Sequence, residues 1–163
     1  MKDFVIEDRV QKAIDYFESG YNCAQSVFLA YHDLFDLDME TAKKMTVSFG
    51  GGIGRLRETC GTTSGMAMLA GFRYPVIDTT DKNARTLNYA IVQKMVGLFK
   101  EKYGTINCKS LLQSLKTDTN PEPSPRTPEY YTRRPCGKFI VDATEIAGRM
   151  LKGEFEAEIR QAI

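Results

Sequence analysis

The sequence of 163 residues has no tryptophan, a single histidine, almost no net charge and no long hydrophobic run. Its 22 lysines and arginines nearly balance its 21 acidic residues, which leaves a net charge of +1. A chain with this balance is not expected to bind nucleic acid or an anionic membrane surface as its main task. No apolar stretch approaches the roughly 18 residues of a membrane span. Charged residues directly follow the short apolar segment 4–6, so we expect no signal peptide and predict a cytoplasmic protein with reduced thiols.

The apolar residues follow the period of α-helices along most of the chain. They recur every three or four residues in segment 6–17 and, most strongly, in segment 81–103, which we expect to be the central helix. No segment alternates apolar and polar residues as a half-buried strand does. A chain of this length can bury one core, so we predict a single all-α domain over residues 1–163 with six to eight helices. The predicted helices cover residues 6–17, 23–35, 39–48, 62–72, 81–103, 108–115 and 136–152, with a final turn or two in 155–163.

Residues 116–134 are polar and contain four of the six prolines. Proline lacks a backbone N–H and fixes φ, so a segment rich in it does not continue a helix. We therefore predict a long, irregular, proline-rich surface loop over residues 116–134.

The four cysteines, Cys23, Cys60, Cys108 and Cys136, contain no CxxC pair, so the local spacing of a zinc finger or a thioredoxin site is absent. Each of them lies close to a predicted helix start. A helix start presents free N–H groups and a partial positive charge, which favour the thiolate that attacks disulfides and binds metals. We predict that at least three of the four sulfurs lie close together. Packing as small hydrophobic residues is the alternative, because cysteine is often buried without any chemical role.

Two cysteines follow an asparagine that can cap a helix. Asn22 precedes Cys23, and Asn107 precedes Cys108. These are the clearest caps in the chain, so Cys23 and Cys108 are the predicted low-pKa thiols. Burial would raise the pKa of either thiol instead, and the two effects oppose each other.

Residues 50–54 read Gly-Gly-Gly-Ile-Gly and predict a loop rather than a helix. The segment lacks the lysine and Ser/Thr of a phosphate-binding P-loop. It could form a nest of N–H groups for an anion, with Arg55 and Arg57 supplying charge. We favour a close turn that packs beside Cys60 and another of the cysteines.

The sequence resembles the C-GCAxxG-C-C family of redox-active proteins. The resemblance rests on residues 21–25 (Tyr-Asn-Cys-Ala-Gln), the glycine segment 50–55, residues 58–61 (Glu-Thr-Cys-Gly) with Gly65, Cys108, and Cys136 before a closing helix. These segments span about residues 20–150. Similar segments occur in split-Soret cytochromes, where the cysteine-bearing domain is associated with an iron–sulfur cluster. No CxxCH is present, so covalent haem attachment is not expected.

The resemblance implies a redox role for all four cysteines, either as catalytic thiols or as metal ligands. Four thiolates are the number that a [2Fe–2S] cluster needs, and they would equally satisfy one zinc ion. With a cofactor present, Gly51, Gly52 and Gly61 are expected to let the backbone approach it closely. The leading hypothesis is an iron–sulfur protein for electron transfer, and the alternatives are a thiol/disulfide oxidoreductase and a non-redox zinc-binding or structural protein. A redox partner is expected, and association into a homo-oligomer stays open.

Overall fold

The computed structural model describes residues 2–163, and in that range it contains nine α-helices and no β-strand. The all-α fold class is confirmed. Two short 3-10 helices cover His32–Phe35 and Val47–Phe49. Within the described range, no helix is both long and apolar enough to cross a membrane. The helices are α1 (Ile6–Glu18), α2 (Cys23–Leu29), α3 (Met39–Thr46), α4 (Gly61–Arg73), α5 (Lys82–Tyr103), α6 (Cys108–Leu111), α7 (Pro128–Arg133), α8 (Cys136–Leu151) and α9 (Glu156–Ala162).

The core is centred on α2, α4 and α8, with α1 packed against α8 and α2. Ten residues of α8 and all but Cys23 of α2 are buried. Segment 81–103, predicted to be the central helix, forms α5 at one side of the core, so that prediction is wrong. α5 buries only one stripe, Leu87, Ile91, Met95 and Phe99, because its other faces carry polar residues.

The helix caps follow the sequence closely. Asn22 accepts a hydrogen bond from the backbone N–H of Gln25, and the Gln25 side chain accepts one from the Asn22 N–H, which completes a capping box. Asn107 caps α6 by accepting from the N–H of Ser110. Gly104 ends α5 in the left-handed conformation, with φ of 76°.

Three segments differ from their predictions. The helix predicted over residues 23–35 ends at Leu29 and is followed by the 3-10 helix His32–Phe35. The helix after Asn107 ends at Leu111 rather than continuing to residue 115. The loop at 116–134 contains α7, because Thr127 caps that helix and Pro128 occupies its first turn. Pro128, which we expected to interrupt helix, instead lies in the first turn of one, and α7 positions Tyr130 beside Cys23 and Cys136.

Candidate functional site

All four cysteines line one small internal cavity, which we call the thiol cavity. Cys23, Cys108 and Cys136 are the first residues of α2, α6 and α8, and Cys60 is the residue that caps α4. The predicted placement at helix starts is therefore confirmed. The four thiols are free. Three are buried, while Cys23 is partly exposed.

Backbone hydrogen bonds fix Cys60 beside Cys108. The N–H of Cys60 donates to the carbonyl of Ile106 at 2.8 Å, and the N–H of Cys108 donates to the carbonyl of Glu58 at 2.6 Å. This short antiparallel bridge, between Thr59 and Asn107, joins the starts of α4 and α6. Two cysteines that are 48 residues apart in sequence are thereby held side by side.

The glycine loop lies against the same cavity. Gly52 has φ of +73°, and a Cβ on it would lie 2.7 Å from the Cβ of Cys108. A Cβ on Gly61 would lie 3.3 Å from the Cβ of Cys23 and 2.8 Å from the carbonyl oxygen of Phe49. These glycines let the backbone approach the cysteines closely, as the sequence indicates. Gly51 also lines the thiol cavity.

Three non-glycine residues of this loop also have positive φ, namely Ile53 (60°), Arg55 (66°) and Arg57 (64°). Such a conformation is costly for residues that carry a Cβ, and it persists only when the surrounding structure enforces it. The N–H groups of Arg57 and Glu58 donate to the carbonyls of Gly51 and Gly52 at 3.1 and 3.0 Å. The sequence does not reveal this backbone strain. With this loop conformation, the side chains of Arg55 and Arg57 line the same open cavity.

Cys23 and Cys136 are neighbours at the starts of α2 and α8, and both line the thiol cavity and a larger open cavity beside it. The neighbouring Cys23 thiol, together with the cations Arg134 and Arg126, lowers the pKa of Cys136 to about 7 although burial opposes the change. The neighbouring Cys136 sulfur and burial raise the pKa of Cys23 well above its ordinary value. Of the four cysteines, Cys136 is therefore the one whose thiolate is favoured.

Cys60 and Cys108 have the opposite tendency. Burial raises the pKa of Cys60 to about 11, although a hydrogen bond with Thr62 partly opposes this. Burial also raises the pKa of Cys108, against the opposing charge of Arg57. The prediction that Cys23 and Cys108 are the low-pKa thiols is therefore wrong, since the Cys136 sulfur and burial act on Cys23, and burial acts on Cys108. The sequence holds one signal for Cys136, the nearby Arg134, whereas Cys23 and Arg126 approach it only in the fold.

A second, open cavity of about 550 Å³ lies beside the thiol cavity, and we call it the arginine cavity. Cys23, Cys108 and Cys136 line it together with four arginines. The arginines are Arg55, Arg57, Arg126 and Arg134. The 116–134 segment closes one side through Pro121, Pro123, Ser124 and Arg126. A proline-rich surface segment thus becomes a wall of the site, which composition alone does not predict.

The cysteines suit a metal in their number and their soft sulfur atoms. Their arrangement suits it less well. Among residues 2–163, no three His, Cys, Asp or Glu side chains stand in positions that would hold one ion. The thiol cavity itself has a volume of about 10 Å³. The four sulfurs would therefore have to rearrange to bind a metal ion or a cluster.

The fold and the site define an all-α protein in which four thiols converge at helix starts beside a cationic cavity. A sequence model of the family described as "Putative redox-active protein (C_GCAxxG_C_C)" matches residues 21–150. The chain belongs to this family of redox-active proteins. No match was found among curated proteins or among solved structures.

Proposed function

We propose that the protein is a thiol–disulfide redox protein in which Cys136 is the nucleophile and Cys23 the resolving cysteine. The adjacency of the two thiols carries the proposal, because both line the thiol cavity and each shifts the pKa of the other. Both cysteines also line the open arginine cavity, through which a substrate reaches them. Membership of a redox-active family supports the same chemistry.

The reaction follows from ordinary thiol–disulfide exchange. The Cys136 thiolate attacks one sulfur of a substrate disulfide, the substrate S–S bond breaks, and a mixed disulfide with Cys136 forms. The Cys23 thiol loses its proton and attacks the Cys136 sulfur, which forms the Cys23–Cys136 disulfide and releases the second substrate thiolate. The protein dithiol loses two electrons, the substrate disulfide gains them, and the two released thiolates end in protonation equilibrium with solvent.

Cys60 and Cys108 have a supporting role in this scheme. The pKa of each is raised, which favours the protonated thiol. A protonated thiol is a poor nucleophile, and Cys60 does not line the open arginine cavity. Their positions at the short bridge hold the walls of the thiol cavity together.

The test is oxidation of the reduced, metal-free protein with diamide, followed by peptide mapping without reductant. We expect one disulfide, Cys23–Cys136, to form first and to be reversed by a dithiol. Cys136→Ser abolishes it, whereas Cys60→Ser leaves it intact. These variants are matched, because Cys136 and Cys60 are 6% and 4% exposed. A different pairing, or no intramolecular disulfide, would contradict the assignment.

An iron–sulfur site for electron transfer is the second candidate function. Its support is the convergence of all four cysteines on one cavity next to Gly51, Gly52 and Gly61. Thiolates are the preferred ligands of such clusters. The test is anaerobic purification followed by iron and acid-labile sulfide analysis and a visible spectrum. Iron and sulfide lost in each single Cys→Ser variant would favour this function, while a colourless protein that forms the Cys23–Cys136 disulfide would exclude it.

A further inference from the structure

The lining of the arginine cavity carries an excess of positive charge. The four arginines that line it are accompanied by no aspartate or glutamate among the lining residues that the structure describes. Arg55 is neutralised from outside, because its Nη2 lies 3.1 Å from the Asp118 carboxylate. Across residues 2–163, the other three cavity arginines form no ion pair, so three guanidinium charges lack a carboxylate partner.

Arg57 is the most deeply buried of these three arginines. It is only 5% exposed, and its Nε donates to the backbone carbonyl of Asp118 at 2.9 Å. Arg57 lines the arginine cavity together with Cys108. A buried cation loses hydration, and this loss is offset only when an anion or several hydrogen-bond acceptors surround it.

Arg126 and Arg134 are held in place by one aromatic ring. The guanidinium carbons of Arg126 and Arg134 lie 4.4 and 4.8 Å from the centre of the Tyr130 ring. Arg126 also donates from Nη2 to the carbonyl of Tyr21 at 3.3 Å. A guanidinium fixed by stacking keeps its N–H groups free to bind a planar anion such as a carboxylate.

Arg126 and Arg134 line this cavity together with Cys136, so their guanidinium groups share one space with its sulfur. The unpaired positive charges face a cavity of about 550 Å³, which holds a small molecule rather than a folded partner.

We propose that the arginine cavity binds a small disulfide substrate through its carboxylate groups, which places the substrate S–S bond at Cys136. This inference rests on the proposed thiol–disulfide function and names its substrate class. The exchange is the one written above, with a carboxylate-bearing small molecule supplying the disulfide that is reduced. The arginines take no part in bond making; they bind and orient the anion.

The experiment compares two disulfides of nearly equal size and opposite charge. The reduced, metal-free protein is mixed in a single turnover with 3,3′-dithiodipropionate, a dianion, or with cystamine, a dication. Each rate is divided by the rate at which a free small-molecule dithiol reduces the same disulfide, because the leaving thiols differ in pKa. We expect the normalised rate to be about tenfold or more higher for the dianion, and to fall as salt is added.

Variants connect this preference to the cavity. Arg134→Gln is expected to reduce the preference for the dianion severalfold, and Arg57→Met to reduce it further. The matched control is Arg133→Gln, which removes an exposed charge that does not line the cavity. Because Arg57 is buried, its replacement can disturb the fold, and circular dichroism detects such a defect. In that case the effect of Arg134→Gln on the preference for the dianion decides the proposal.

Equal normalised rates for both disulfides, or a preference that Arg134→Gln leaves unchanged, would overturn the substrate class. That failure is distinct from failure of the thiol chemistry, which is judged by the Cys23–Cys136 disulfide with diamide. A second readout needs no reaction. In Cys23→Ser/Cys136→Ser protein, calorimetry is expected to show binding of the dianion but not of cystamine, and the absence of both would contradict the site.

Discussion

The arginine cavity and a further cavity, which we call the distal cavity, differ in how their charges are arranged. Cys60 and Gly61 at the start of α4 line the thiol cavity, which adjoins the arginine cavity, and the helix ends at Arg73, about 18 Å away at 1.5 Å per residue. The distal cavity includes Arg73, Tyr74, Glu156 and Arg160 in its lining. It is larger than the arginine cavity, with volumes of about 690 and 550 Å³.

In the distal cavity, one carboxylate is shared by the two arginines that line it. Glu156 accepts a hydrogen bond from Arg160 at 2.9 Å and from the hydroxyl of Tyr74 at 3.2 Å, and it lies 3.6 Å from Nη2 of Arg73. At the cysteine end, three arginines have no such partner. The comparison teaches that unpaired charge next to cysteines, rather than cavity volume, distinguishes the end of the molecule where we propose the function to lie.

The largest expected effect comes from crowding the cysteine end. Gly52→Ala places a Cβ 2.7 Å from both the Cys108 Cβ and the Glu58 backbone nitrogen, at a φ that disfavours any side chain. We expect a loss of about 3 kcal/mol in the free energy of unfolding, from backbone strain and overpacking together. Chemical denaturation measures it.

The matched control for this change lies near the distal cavity. Gly153 has a similar φ of +81°, but the nearest atom to its added Cβ is Glu156 Oε2 at 4.0 Å. Gly153→Ala should therefore cost about 1 kcal/mol, from strain alone. Equal losses in the two variants would show that the cysteine end is not the more tightly packed of the two.

The next effect tests the paired charges of the distal cavity. Glu156→Gln removes the carboxylate that joins Arg73, Tyr74 and Arg160, and we expect a loss of about 1 kcal/mol near neutral pH. The hydrogen bond from Arg160 holds the pKa of Glu156 below its ordinary value. The stabilisation is therefore complete above the unfolded pKa of about 4.3 and is lost as pH falls through the folded pKa.

Denaturation of wild type and Glu156→Gln across this pH range tests the prediction, and the difference should shrink in acid. The alkylation rate of Cys136 should be the same in both proteins, since the two cavities are independent. A changed rate at Cys136 would show that the two ends are coupled.

The smallest effect concerns the cation nearest the reactive thiol. Arg134→Gln removes a positive charge that favours the Cys136 thiolate, so the pKa of Cys136 should rise. We expect alkylation of Cys136 at neutral pH to slow about threefold. Arg133→Gln is the control, and an equal slowing in it would mean that general surface charge, rather than Arg134, acts on the sulfur.

Local signals made most of the fold predictable. The caps at Asn22 and Asn107 and the stop at Gly104 depend on neighbouring residues alone, and all three form as expected. The placement of α5 could not be predicted in this way. Its stripe shows that one face is buried, but whether a helix is central depends on what covers its other faces.

The site was predictable in its members but less so in their chemistry. The helix starts predicted that at least three of the four cysteines lie close together, and all four line the thiol cavity. The pKa of Cys136 depends first on Cys23 and then on Arg134 and Arg126, which stack on Tyr130. That stacking arises from α7, which lies in a segment whose prolines predict only a loop.

The most direct test of the central claim is the alkylation rate of each cysteine against pH, resolved by peptide mass spectrometry on reduced, metal-free protein. Cys136 should react with a midpoint near pH 7, and Cys60 should titrate near 11. Cys23→Ala should move the Cys136 midpoint upward, because the neighbouring thiol that lowers its pKa is gone. If Cys136 instead titrates together with Cys60, or is unaffected by the loss of Cys23, the two do not form a nucleophile and resolving pair.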